Sequence, residues 1–290
     1  MNYVYIFLAL ILASLIVVYI DLFFPKVTSY NFKENKVEST ISFVVLSDLH
    51  GRKGLMSENK SLQKIRECRP DFILLAGDMI TTRQTVNYED TISYLDHLSK
   101  IAPVFYGLGN HEQKAMVPSS KYYQDGQYYF NKLKEKSNIT VLDNVSIDFE
   151  SNGTLVQIHG LTLSQRFFVK NPKAVQEEPV LNDFLNYRDP QKLTILLAHH
   201  PKYMQEYVKW GADYIFCGHY HGGIVRLPFL GGVISPEFQL FPKYSGGHYL
   251  FNEQHGIVSR GIGIHTFPIR FLNRSQIIHV KLSPNVEKKD

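Results

Sequence analysis

The sequence predicts an α/β fold standing behind one apolar N-terminal helix, and three observations predict it. Apolar runs of strand length alternate with amphipathic ones from residue 41 onward. An uncharged apolar stretch fills residues 4–20, and five of the later apolar runs are followed by Asp, Asn or His. The chain has 290 residues, 44% hydrophobic and 20% charged, enough for one large domain or two small ones. A formal net charge of +4 is too mild to argue for nucleic acid, and no nucleic-acid partner is expected. Cys68 and Cys217 read as two unpaired thiols, not as a disulfide framework or a thiolate metal site.

The first element is the apolar stretch, with Asp21 and a further Leu-Phe-Phe after it. Its length lies at the short end of what crosses a bilayer, roughly 17–25 residues. No Lys or Arg precedes it, and Leu22 to Lys26 offers no small-x-small cleavage site, so an uncleaved single-pass anchor is favoured over a signal peptide. A buried core helix is the other alternative, weakened by the absence of a polar face. Lys26, Lys33 and Lys36 follow the stretch, which by the positive-inside rule places the C-terminal body on the cytoplasmic side. The expected organisation is therefore an anchor over 1–24, a polar linker over 25–39 and a single domain over 40–285.

Residues 41–47 read as a buried strand and 58–68 as a helix, which Pro70 stops before a second strand at 71–77. Residues 87–100 are expected to be helical with Asn87 as N-cap, and 103–108 to be a strand. Residues 120–136 have helical spacing, although Gly126 interrupts it. The runs on either side of Ser151-Asn152-Gly153 read as a hairpin. A strand at 193–198, a helix at 201–210 and a strand at 213–218 then restore the rhythm, and the remaining C-terminal third is rich in strands and turns.

The residues that follow the strands carry the chemistry. Asp48 and His50 follow the first, Asp78 the second, Asn110 and His111 the third, His199 the fourth, and His219 and His221 the fifth. Ligand sites of open α/β sheets lie outside the carboxyl ends of the strands. One Asp there is usually a turn residue or cap; five consecutive strand ends of metal-ligand type point to a metal centre. Imidazole, carboxylate and amide oxygen without thiolate suit Mn, Fe or Zn. Seven candidate ligands (Asp48, His50, Asp78, Asn110, His199, His219 and His221) are too many for one ion. A pair of cations stabilises both the attacking and the leaving oxygen of a phosphoryl displacement and supplies hydroxide near neutral pH. The glycines around Gly218-His219-Tyr220-His221-Gly222-Gly223 let that loop fold tightly against such a centre.

Five blocks occur in order: Asp48-Leu49-His50, Gly77-Asp78, Gly109-Asn110-His111-Glu112, Ala198-His199-His200-Pro201 and Gly218-His219-Tyr220-His221. Together they resemble the calcineurin-like metallophosphoesterases. The later stretches GGIVRLP, FPKYSGGHY, IVSRGIG and PIRFLNR resemble a bacterial membrane-associated subgroup related to UDP-2,3-diacylglucosamine pyrophosphatases. The resemblance implies a four-layer α/β/β/α sandwich binding two divalent ions, with Mn2+ expected and Fe or Zn as alternatives. It implies that Asp48, His50, Asp78 and His221 hold one ion, and that Asp78 bridges to a second completed by Asn110, His199 and His219. His111 is implied as general acid or as stabiliser of phosphoryl charge. His199 is preferred to the adjacent His200 because the family block sets its ligand two residues before the proline, and Glu112 is expected to order its loop.

The implied activity is hydrolysis of a phosphoester or phosphoanhydride by metal-bound hydroxide, on a phosphorylated small molecule or lipid. A lipid-linked nucleotide pyrophosphatase is the narrower alternative. A catalytically inactive membrane-bound interaction module is the alternative of another class, but it predicts lost ligands, and every ligand position is filled. Arg52, Arg260 and Arg270 are candidates to touch a substrate phosphate. His97, His159, His248, His255, His265 and His279 read as core or surface residues. Segments 113–137 and 163–191 are candidate substrate-covering loops.

Overall fold

The computed structural model describes residues 2–51, 58–82, 88–168, 179–185, 187–223, 225–227, 229–263 and 269–285. The expectations for Arg52, Asn87 and His265, and for most of the middle of segment 163–191, lie outside the described residues.

Helix α1 (Asn2–Phe23) is apolar on every side and stands almost wholly exposed. Residues 3–23 are long and apolar enough to cross a membrane, with a mean hydropathy of 2.7. Its one charged residue sits at the foot of the helix. Asp21 is buried and accepts a 2.8 Å hydrogen bond from the backbone N–H of Asn273. The Asn273 amide in turn donates to the carbonyl of His221 at 2.8 Å. Three groups thus join the foot of α1 to a loop of the body.

The segment expected as a linker is instead strand β1 (Lys26–Glu34), paired in parallel with the last strand of the chain. The polar residues between its apolar ones disguise a period of two. Thr28, Tyr30 and Phe32 are partly buried while Ser29, Asn31 and Lys33 are exposed. The Tyr30 and Phe32 rings stack on one face with centroids 6.1 Å apart.

The chain then runs β2 (Ile41–Leu46), α2 (Glu58–Glu67), β3 (Phe72–Ala76), α3 (Glu89–Ser99), β4 (Val104–Gly107), α4 (Asn110–Met116), α5 (Tyr123–Lys134) and β5 (Ile139–Leu142). After these come β6 (Val145–Ser151), β7 (Thr154–Leu161), β8 (Leu193–Ala198), α6 (Met204–Trp210) and β9 (Tyr214–Cys217). The final strands are β10 (Arg226–Leu227), β11 (Gly231–Gly232), β12 (Gly247–Phe251), β13 (Gln254–Val258) and β14 (Gln276–Pro284). One sheet has the order β1-β14-β2-β3-β4-β5 and the other β12-β13-β9-β8-β7-β6, with β10-β11 as a separate small hairpin. The run 139–149 is therefore two strands in different sheets, broken where Asn144 takes φ 53°. The hairpin expected around Ser151-Asn152-Gly153 joins β6 to β7.

Alternation along the central strands builds the layers. Phe43 and Val45 face the other sheet, whereas Val44 and Leu46 face the helices. Between the sheets Phe43 stacks on Phe72 (4.8 Å, 12°) and meets Phe216 edge-on at 5.7 Å. Removing such a ring costs about 3–5 kcal/mol. Helices α2 to α5 cover the outer face of the first sheet through Leu62, Ile65, Leu95, Ala115, Tyr129 and Leu133. Helix α6 covers the second through Met204 and Tyr207. The result is the expected α/β/β/α sandwich.

Segment 113–137 is not a covering loop. Tyr129, Phe130 and Leu133 point into the core, and Gly126 explains itself as a crossing point. A Cβ there would stand 2.2 Å from the Ala115 carbonyl oxygen of α4, so only glycine lets the two helices touch.

Candidate active site

The carboxyl ends of β2, β3, β4, β8 and β9 meet at one rim, and the loops that leave them are tied together by backbone hydrogen bonds. Asp48 N donates to Gly77 O (3.0 Å), His50 N to Asp78 O (3.1 Å) and Gly218 N to His199 O (3.0 Å). Asp48, His50, Asp78, His219 and His221 all take left-handed backbone angles, with φ between 50° and 67°. Each such non-glycine residue costs on the order of 1 kcal/mol, and strain of that kind gathers at functional sites. The loop glycines keep the approach close: a Cβ on Gly218 would lie 2.5 Å from Asp48 Oδ2.

All seven sequence-predicted ligands come to this rim. Asp48, His50 and His221 form one group whose ligand atoms lie within 4.8 Å of one another; Asp78, His199 and His219 form a second. Asp78 also groups with His50 and His111, so it belongs to both sides. The Nε2 atoms of His50 and His221 are 2.9 Å apart, with the rings stacked at 15°, and Asp48 Oδ1 lies 3.4 Å from His221 Nε2. His199 donates from Nδ1 to the Ala76 carbonyl (2.7 Å), which aims its Nε2 at Asp78 Oδ2, 3.1 Å away. Asn110 opens α4, and its Oδ1 is buried with no hydrogen-bond partner among the described residues.

The electrostatics favour cations. Asp48 and Asp78 are fully buried, and no Lys or Arg pairs with either among the described residues. Burial raises the Asp48 carboxyl above its usual range; Asp78 adds to this and His199 opposes it. Burial acts on Asp78 too, yet His199 and His111 hold that carboxyl well below the usual range. His199 is pushed up to about 10, because the charge of Asp78 outweighs its burial. Imidazolium is thus the only positive charge these carboxylates find among the described residues. An orphaned amide oxygen, two buried carboxylates and converging imidazole nitrogens fit divalent ions of the Mn, Fe or Zn type.

His111 is held by its far nitrogen. Thr82 donates its backbone N–H to Nδ1 at 2.8 Å, and Thr82 Oγ1 is 2.7 Å from the same atom. A backbone N–H can only donate, so Nδ1 accepts and the ring proton is on Nε2. That Nε2 lies 4.0 Å from Asp78 Oδ2. Glu112 does no chemistry at the rim. Fully buried, it accepts from Asp78 N, Ile80 N, Gly109 N and the Tyr106 hydroxyl, joining the loops after β3 and β4.

Two contributors escaped sequence reasoning. Glu237 Oε1 lies 3.1 Å from His219 Nε2 and 3.2 Å from His200 Nε2, and both imidazoles hold its carboxyl far below the usual range against its burial. His200 faces this carboxylate rather than Asp78, and burial lowers its imidazole to about 4. The available signal was slight: Glu237 is the one charged residue between positions 227 and 242. Phe168 stacks on His200 (4.9 Å, 14°) and meets His219 edge-on, so part of segment 163–191 does reach the site. Of the candidate arginines, Arg270 is spent on the carbonyls of Asn273, Gly261 and Gly263, while Arg260 lines a separate cavity. His159 is buried in the core, His248 and His255 pair with each other, and His279 bonds Ser42.

Fold and site together place the chain in one family of proteins. The profile of the calcineurin-like phosphoesterases matches residues 41–223, and the chain belongs to that family, a class of phosphoric ester hydrolases. Among its relatives, an uncharacterized metallophosphoesterase of Helicobacter pylori (strain J99 / ATCC 700824) is 27% identical over 267 residues, covering 90% of this chain and 64% of that protein. The chain thus spans somewhat less than two thirds of that relative's length. Phosphodiesterase YaeI of Escherichia coli K12 is 28% identical over 238 residues, 80% of this chain and 78% of that one. Among solved structures, phosphopantetheinyl hydrolase (PptH) of Mycobacterium tuberculosis superposes with a TM-score of 0.46 at 13% identity, over 80% of this chain and 92% of that chain.

Proposed function

We propose that this protein is a membrane-anchored metallophosphoesterase that uses two divalent cations, Mn2+ foremost, to hydrolyse a phosphoester or phosphoanhydride. The observation that carries the proposal is the orphaned Asn110 Oδ1 beside two groups of buried ligands that share Asp78. Asp48, His50, Asp78 and His221 would hold one ion, and Asp78, Asn110, His199 and His219 the other. Bound there, the cations supply Lewis acidity and make hydroxide available near neutral pH.

The residues of the chain do the rest. Glu237 occupies His219 Nε2, which leaves Nδ1 as the nitrogen that can turn to a metal, the usual arrangement of a carboxylate behind a ligating histidine. His111 presents an Nε2–H to the site. Its Nδ1 already accepts from Thr82, so a full imidazolium would break that bond. His111 therefore acts as a fixed donor to a phosphoryl or leaving oxygen, stabilising charge there rather than delivering a proton. Phe168 closes one wall with an apolar ring and excludes water from His199, His200 and His219.

The substrate is proposed to be a phosphorylated lipid or small molecule at a membrane surface, with a lipid-linked nucleotide pyrophosphate as the narrower form. Support for the lipid form is α1 together with the likeness of the tail motifs to that subgroup. The body, residues 40–285 with β1 added at its edge, is proposed to lie on the cytoplasmic side.

The test is metal content. Asp78→Asn weakens both cation sites and should retain less Mn2+ by elemental analysis than Asn110→Ala, which damages one. Retention of two ions per chain by Asp78→Asn would defeat the shared-ligand arrangement.

A further inference from the structure

Beside the active site, and separate from it, lies a cavity of about 460 Å³. Arg226, Lys243 and Arg260 line it, and so do the exposed Leu227, Phe229 and Leu230. Arg226 and Arg260 flank Gly246 on the same side: a Cβ there would stand 3.2 Å from Arg226 Nη1 and 3.3 Å from Arg260 Cγ. Both side chains thus line one wall, and burial and the charge of Arg260 both lower the pKa of Arg226. Natural cation pairs of this kind are relieved by an acid, yet neither arginine has a carboxylate partner among the described residues. Among the described residues Arg226 donates only to the neutral carbonyls of Gly222 and Gly246. Arg260 Nε is buried and has no acceptor at all among the described residues. The cavity is suited to an anion that the described residues do not provide.

The apolar lining adds a second requirement. Phe229 is completely exposed at the turn of the β10–β11 hairpin and Leu230 is 65% exposed. Leu227, Phe229 and Leu230 together give the hairpin an exposed apolar tip, and a cluster of that kind marks a surface that meets something apolar. The position says what. Leu272 lines the same cavity, and the next residue, Asn273, receives the foot of α1 through Asp21. The cavity therefore opens where the apolar helix leaves the body.

We propose that this cavity binds the phosphate headgroup of an anionic membrane lipid, with Arg226, Arg260 and Lys243 around the phosphate and Phe229 and Leu230 among the acyl chains. The inference goes beyond the catalytic reading and takes from it only that α1 lies in a membrane. No bond of the lipid is broken; the headgroup seats the rim against the bilayer.

Native mass spectrometry of the full-length protein, released from detergent micelles with equimolar dioleoyl phosphatidylglycerol and phosphatidylcholine, tests it. One phosphatidylglycerol should be retained per chain in preference to phosphatidylcholine. Arg260→Gln should lower its retention about tenfold or more, the scale of one charge-assisted hydrogen bond. Lys243→Gln, a surface change that leaves the fold alone, should lower it in the same direction, and Phe229→Ser should weaken the lipid without weakening inorganic phosphate. Equal retention of the two lipids, or adducts unchanged in Arg260→Gln and Lys243→Gln, would show only lipid gathered around α1 and overturn the proposal. Phosphate binding that ignores Phe229→Ser, with no lipid preference, would overturn it in favour of a soluble anion. Hydrolysis of bis(4-nitrophenyl) phosphate by the unsubstituted protein, read in parallel, keeps the two readings apart: no metal-dependent hydrolysis would defeat the catalytic reading and leave the lipid result standing.

Discussion

Glu112→Gln separates loop ordering from catalysis, because Glu112 meets the rim through the backbone N–H of Asp78 and hydrogen-bonds no candidate ligand side chain among the described residues. Its Oε2 accepts from Asp78 N and Gly109 N, both at 2.9 Å, and its Oε1 from Ile80 N at 3.0 Å and the Tyr106 hydroxyl at 2.5 Å. An amide can replace only one oxygen, so it must turn donors toward two of these groups. The less costly orientation sets the NH2 at Oε1, where the Tyr106 hydroxyl rotates to accept and only the Ile80 N–H is orphaned. A buried orphan costs about 1–3 kcal/mol; burial and the charge of Asp78 push Glu112 up to about 7, so above that pH the remaining bonds also lose their charge assistance. A total near 3 kcal/mol is expected. Glu112→Ala, which orphans three backbone N–H groups, should cost about 5 kcal/mol or more. The assay is urea unfolding of the full-length protein in detergent with chelator present, so that bound metal does not mask the difference. Trp210 is the only tryptophan and lies in α6, so its fluorescence follows the body and not α1. Metal affinity should weaken alongside stability, since the same bonds hold the loops of Asp78 and Asn110 together. A Glu112→Gln protein within 0.5 kcal/mol of the wild type would refute the claim that this carboxylate ties the two loops.

Two further substitutions have defined outcomes. His111→Ala should keep its metals and lose about 10²–10³-fold in turnover, the scale of one oxyanion donor, equally for good and poor leaving groups. A loss confined to poor leaving groups would restore the general-acid role. His159 is buried with neither ring nitrogen bonded among the described residues, and burial holds its pKa near 4. The unfolded chain therefore takes up a proton below about pH 6.5 that the folded one refuses. Stability should fall as pH drops from 6.5 toward 4, by about 2 kcal/mol at pH 5. His159→Phe should remove that part of the slope in urea titrations at pH 7 and pH 5; parallel slopes would show that the ring is protonated within the fold.

What the sequence made legible followed from burial. Strands covered on both faces read as continuous apolar runs, so β2, β3, β4, β8 and β9 stood out, and with them the polar residues that end them. Edge elements were harder. Strand β1 interleaves Thr28, Tyr30 and Phe32 with exposed polar residues, and the strand it pairs with lies 250 positions away at the other end of the chain, Lys26 against Gln276. Helix α4 has seven residues, too few for helical periodicity to declare itself, and α5 was obscured by the glycine that lets it cross α4. Glu237 is found only through tertiary contact with His200 and His219, since nothing near it in sequence is periodic. The left-handed backbone angles at five rim residues were likewise invisible, for they are imposed by the meeting of the two sheets.

The tie from Asp21 through Asn273 to the His221 carbonyl changes how the enzyme would search for substrate. A flexible connection of 15 residues would let the rim roam over a volume about 20 Å across. With β1 locked into the sheet and the helix foot bonded to the body, that freedom is gone. If α1 spans a bilayer as proposed, the rim travels at one height and one tilt above it, like a reading head over a surface. Encounters are then governed by diffusion in two dimensions, and a phosphate only a few ångströms above or below that plane is out of reach.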